Sequence, residues 1–106
     1  MEKTISAIST APGVGGVAII RISGEKALKI AEKMFRPLGK IKVSDFEPYK
    51  MYVGEIDGGT FTDFGMCVYF KAPRSYTGEE MVELHCHGGI AITQGILKKT
   101  FALGAV

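Results

Sequence analysis

The 106-residue sequence predicts an α+β fold, close to the α/β class, with a mixed sheet of about five strands and two main helices. Three observations carry this reading. Short β-branched or alternating segments recur five times, two other segments switch to helical spacing, and glycine, proline and aspartate clusters separate them. The order β-β-α-β-β-β-α then gives a sheet packed against helices around one core.

The first strand is "TISAIST", short and β-branched. "APGVGG" comes next, and the question it raises is whether Gly13, Gly15 and Gly16 cradle a phosphate or only turn the chain. A phosphate loop leads into a helix whose free N–H groups face the anion, and the P-loop ends in Gly-Lys-Ser/Thr. Here the glycines lead into "VAIIRIS", and no such ending is present. The expectation is a strand-to-strand turn and no nucleotide site. "GVAIIRIS" (16–23) is nearly all apolar, as a central strand covered on both faces would be, with Arg21 interrupting it.

Helical spacing begins at "GEKALKIAEKMF" (24–35), where Ala27, Ile30, Ala31 and Met34 share a face opposite Lys26, Lys29, Glu32 and Lys33. Ser23 is the expected N-cap, and Pro37 and Gly39 close the element. Residues 36–48 read as a loop. "YKMYVGEI" (49–56) and "TFTDFGMCVYF" (60–70) flank Asp57-Gly58-Gly59, a hairpin signal because these residues tolerate positive φ.

A polar loop, "KAPRSYTGEE" (71–80), leads on from the hairpin; its Thr77-x-x-Glu80 has capping-box form, but residues 81–87 alternate instead of turning. That stretch, "MVELHCH", has period two, with Val82, Leu84 and Cys86 on one face and Met81, Glu83, His85 and His87 on the other. After Gly88-Gly89, residues 90–103 form a second helix with Ile92, Ile96, Leu97 and Phe101 on one stripe. "GAV" ends the sequence with no closing strand, as a fragment would.

Composition bounds the function classes. With 46% hydrophobic and 23% charged residues the chain reads as one ordinary globular domain, residues 1–106. Thirteen basic and 11 acidic residues leave a net charge of +2 with no basic run, which argues against tight nucleic-acid binding by this domain alone. No segment approaches the ~20 apolar residues that span a bilayer, and the N-terminus has no signal-peptide core, so no membrane contact and a cytoplasmic location are expected. Cys67 and Cys86 lie in apolar stretches and read as buried, reduced thiols.

Few residues stand out chemically. Arg21 either emerges at a strand end or meets a carboxylate or polar ligand, since an unpartnered buried guanidinium is costly. Glu83, His85 and His87 have the residue types of a metal site, but same-face strand neighbours lie about 7 Å apart and no closing ligand is visible. No metal is expected. His87-Gly88-Gly89 before a helix offers free N–H groups, or simply permits the turn. No nucleophile pairs with a base, so no catalytic residue is assigned.

Two long stretches, "TISAISTAPGVGGVAIIRISG" and "SYTGEEMVELHCHGG", together resemble the N-terminal domain of the tRNA modification GTPase MnmE family, also called TrmE. The resemblance covers residues 3 to about 104. It implies a domain similar to the tetrahydrofolate-binding domains of the glycine-cleavage T-protein group. In the family it forms the homodimer and binds 5-formyl- or 5,10-methylene-tetrahydrofolate. It also implies a parent protein with a helical domain and a Ras-like GTPase domain that uses GTP, Mg and K. With the flavoprotein MnmG, that protein modifies the wobble uridine of tRNA. By motif position, the folate-contacting arginine falls on Arg21 and the glutamate on Glu83, with Tyr76, Thr77, Gly78, His87, Gly88 and Gly89 lining the pocket. Three departures accompany the match. Glu80 stands where aspartate is commoner, Gly104-Ala105-Val106 replaces Gly-Ala-Arg, and no Pro-Gly-Glu-Phe segment, GTPase motif or catalytic cysteine is present. The chain is therefore not expected to hydrolyse GTP alone. A structural dimerisation module without a ligand site is the alternative, and a small metal-binding protein a more distant one.

Overall fold

The computed structural model describes residues 3–9 and 16–106, so the turn read at Gly13–Gly16 lies, apart from Gly16, outside the described residues. Six strands form one sheet: β1 (Ile5–Ile8), β2 (Val17–Ser23), β3 (Phe35–Pro37), β4 (Met51–Asp57), β5 (Thr62–Phe70) and β6 (Met81–His87). Helix α1 (Ala27–Met34) links β2 to β3, and α2 (Ile90–Ala102) comes after β6. The spatial order is β1-β2-β6-β5-β4-β3, and every pairing is antiparallel. The fold is α+β as expected, but the sheet is antiparallel rather than mixed and has six strands rather than five.

The extra strand comes from the segment read as a loop. Phe35 is buried at the end of α1, and the chain leaves the helix directly into β3, pairing Phe35–Pro37 with Gly54–Ile56. Three residues are too few to show a period. A 3₁₀ turn at Val43–Asp45 tucks Val43 and Phe46 into the core.

Both helices cover one face. Ala27, Ile30, Ala31 and Met34 of α1 are buried, as their spacing predicted, and join Ile20, Ile22, Val82, Leu84, Cys86 and Cys67 from the strands. Helix α1 starts later than expected, and Lys26, not Ser23, is its N-cap residue. The acceptor that a capping side chain would supply comes instead from Thr4, whose Oγ1 receives the Lys26 N–H at 3.1 Å. In α2 the buried positions are Thr93, Ile96 and Thr100, with Ile92 and Leu97 half-buried, while Phe101 is exposed rather than on the buried stripe. The threonines can face inward because their hydroxyls donate to the Ile90 and Leu97 carbonyls. Thr100 Oγ1 then accepts from Ser6 Oγ at 2.7 Å, tying α2 to β1.

The Asp57-Gly58-Gly59 hairpin forms as read: Asp57 Oδ1 accepts the Gly59 N–H, and Gly59 has φ 96°. Among the described residues no helix covers the other face of the sheet. Among the described residues no helix is long and apolar enough to cross a membrane.

Candidate functional site

The uncovered face is where the sequence-predicted residues meet. The β2–β6 register sets Arg21 opposite Glu83 and Ile19 opposite His85, and the β5–β6 register sets Met66 beside His85. Alternation along β6 buries Val82, Leu84 and Cys86 under the helices, so Glu83 and His85 must project to the open face. Arg21 Nε donates to Glu83 Oε2 at 2.8 Å, and His85 Nε2 lies 3.0 Å from Glu83 Oε1. The guanidinium therefore meets a carboxylate, the second of the two fates open to it from sequence.

Glu83 is only 5% exposed, although no helix covers it. Arg21 and His85 flank it, and the loop at 71–80 folds across this end of the sheet onto Arg21 and Ser23. Tyr76 sets its ring over the Arg21 guanidinium, 4.2 Å from carbon to ring centroid, and packs edge-on against Phe70. Thr77 and Ser23 share a 2.7 Å hydroxyl contact, Ser23 donates to Glu79 Oε1, and Gly78 makes the turn at φ 80°. A left-handed residue here is cheap only for glycine.

Two side chains, one unremarked in the sequence and one read there only as a capping-box residue, hold this loop. The Tyr49 hydroxyl donates to the carbonyls of Lys71 and Arg74, and Tyr49 itself adopts φ 67°. Glu80 does not cap a helix; its Oε2 accepts from the Tyr69 hydroxyl at 2.8 Å and from the Ala72 N–H. Burial, together with the bond to the Glu80 carboxylate, pushes the Tyr69 hydroxyl up to about 12. Nothing local in the sequence signals either clamp, because both join segments brought together only by the β4–β5–β6 meander.

The strand-to-helix turn lies apart from this cluster. His87 is four residues along β6 from Glu83, a separation of roughly 13 Å at strand rise. Its Nδ1 sits 2.7 Å from Asp63 Oδ1 and its backbone N–H donates to Asp63 Oδ2. Gly89 is the N-cap residue of α2. Arg21, Glu83, Tyr76, Thr77 and Gly78 are thus brought together, and His87, Gly88 and Gly89 are not. His87 is bonded to Asp63 instead of to Glu83 or His85, and among the described residues no group of three His, Cys, Asp or Glu side chains is arranged to hold a metal ion.

Clefts among the described residues flank the sheet, two of them of a size to matter here. One, about 360 Å³, lies on the open face beside His85, lined by Val17, Val53, Phe64 and Met66. Gly65 lines it too, and a Cβ there would fall 2.1 Å from the His85 carbonyl oxygen, so the close approach of β5 to β6 requires glycine. The larger, about 750 Å³, sits at the far edge around α1, β3 and the hairpin turn. Its charges alternate, Glu32, Lys33, Arg36 and Glu55 among them, and it contains none of the candidate residues. Size alone would favour it, but the converging polar groups are at Arg21 and Glu83.

Comparison with known proteins bears on what this arrangement serves. The family described as "GTP-binding protein TrmE N-terminus" matches residues 4–106.

The chain belongs to this family.

Among its relatives, a protein of Fervidobacterium nodosum is 48% identical over 98% of the chain, and the chain covers 23% of it. Relatives from Clostridioides difficile and Pseudothermotoga lettingae are 42% and 44% identical over 92% and 99% of the chain, which covers 22% and 23% of them. All three are named tRNA modification GTPase MnmE. This TrmE N-terminal chain therefore spans less than a quarter of the length of these relatives.

Proposed function

We propose that this chain is the tetrahydrofolate-binding and homodimerising part of a tRNA modification GTPase, and that its ligand is 5-formyl- or 5,10-methylene-tetrahydrofolate. The observation that carries the reading is the Arg21–Glu83 pair, half-buried on the open face under the Tyr76 ring. An ionised carboxylate has about four acceptor positions, and Glu83 has spent two of them, on Arg21 and His85. The two left suit the adjacent N–H donors of an aminopyrimidinone edge. Arg21 uses its Nε toward Glu83, which leaves its terminal amino groups for a ligand carbonyl or carboxylate. Tyr76 offers a flat apolar wall beside them. A bound folate supplies a one-carbon unit; the chain's own residues bind and orient it.

In this reading the fold is akin to the folate-binding domains of the glycine-cleavage T-protein group, and the open face also meets a second copy. GTP, Mg and K belong to a GTPase domain outside these residues, and MnmG and tRNA are partners of the whole protein in the cytoplasm.

Calorimetric titration of 5-formyl-tetrahydrofolate tests the reading. Saturable binding is expected for the wild type. Arg21→Ala and Glu83→Ala should each weaken it tenfold or more, the effect expected of a hydrogen bond to a charged group. Circular dichroism on both variants separates lost binding from lost folding. A wild type that takes up no ligand would overturn the folate assignment and leave the dimerisation module.

A further inference from the structure

We propose that His85 is a positioning residue for Glu83, fixing the plane of the carboxylate that receives the ligand; the inference rests on the folate reading above. The last torsion of a glutamate is broad and roughly two-fold, so one donor leaves the carboxylate free to swing. Glu83 has a donor on each oxygen, from different strands: Arg21 of β2 on Oε2 at 2.8 Å and His85 of its own strand on Oε1 at 3.0 Å. With both oxygens held, the remaining lone pairs are set before any ligand arrives, and a flat heterocycle with two adjacent N–H groups meets them without reordering cost.

The geometry also assigns the proton. A carboxylate only accepts, so Nε2 of His85 carries the hydrogen of this bond. The ring has little freedom to leave. Its side chain is 17% exposed, and the register places it between Ile19 and Met66 on the same face. It also closes the polar end of the apolar cleft that runs to Val17, Val53 and Phe64, marking the boundary between hydrogen-bonding and apolar ends of the face. His87, by contrast, is committed to Asp63 and takes no part.

A purely space-filling role for His85 would be met by leucine, whereas a donor role would be met by glutamine. The test titrates 5-formyl-tetrahydrofolate into wild type, His85→Leu and His85→Gln, with thermal melts of all three. His85→Leu should still melt cooperatively, at a somewhat lower temperature, and bind at least tenfold more weakly, since it leaves one oxygen of Glu83 without its donor. His85→Gln should bind within about threefold of wild type. Wild-type affinity in His85→Leu would overturn the positioning role while the folate reading stood. Equal loss in both variants would overturn the donor role. Absence of binding by the wild type would overturn the folate reading and this inference with it.

Discussion

Cys67 and Cys86 sit on the helix-covered face with almost no exposure, and both are free thiols. Burial pushes the Cys67 thiol far up; burial, helped by the nearby Asp63 charge, pushes Cys86 up to about 11. Since the thiolate is the reactive form, neither should react with a disulfide reagent at pH 8 until the protein is unfolded. A colorimetric thiol titration with and without denaturant checks this, and rapid reaction of the native protein would refute the burial. The same shifts set the alkaline limb of stability. Thiols of the unfolded chain ionise near 9.0, whereas Cys86 keeps its proton to about 11. The folded state therefore holds more protons in that window, and stability falls as pH rises through it. Melting temperatures should decline from pH 9 to 11, and Cys86→Ala should flatten the decline. The inert setting of Cys67 was legible from its neighbours Met66 and Val68. So was the shared face of Glu83 and His85, because strand alternation is a local rule. The placing of Tyr76 on Arg21 was not, because it depends on how a ten-residue loop is held by Tyr49 and Glu80 through contacts that no local pattern encodes.

At the level of elements, helix α1 shows where local reading stops. Its buried stripe came directly from the 3.6-residue period, but its start did not, because the capping acceptor lies 22 residues upstream on Thr4. Thr4 is buried and sits so close to Gly24, at φ 134°, that a Cβ on Gly24 would come within 2.7 Å of the Thr4 Cα. The entry to the helix is therefore a tertiary joint. Thr4→Val keeps the shape and removes the acceptor, and should cost about 1 kcal/mol, the usual worth of a capping side chain. Urea denaturation measures it; an unchanged midpoint would mean the Lys26 N–H finds another acceptor. Helix α2 departs from its expected stripe for a related reason. Two threonines satisfy their hydroxyls on the helix's own carbonyls and so behave as core residues, which a hydrophobic stripe does not anticipate.

For the whole molecule, the controlling fact is that both helices lie on one face of a six-stranded sheet. The other face presents Val17, Val53 and Phe64 at 60%, 42% and 52% exposure, around the apolar cleft that adjoins the Arg21–Glu83 end. Adjacent exposed apolar side chains on an open sheet face mark a surface that a partner covers. In the proposed homodimer that partner is a second copy, and two-fold symmetry then places every residue of the patch in the interface twice. A charge at Phe64 is consequently introduced as a pair. Because Phe64 is half exposed and outside the core cluster, Phe64→Glu should leave the monomer folded while weakening self-association at least tenfold. Sedimentation velocity over a concentration series reads both states directly. A wild type that stays monomeric at high concentration would remove the second copy as the occupant of this face. A dimer untouched by Phe64→Glu would move the contact elsewhere on the molecule. Loss of dimer with retained ellipticity would tie association to the same face that carries Arg21 and Glu83.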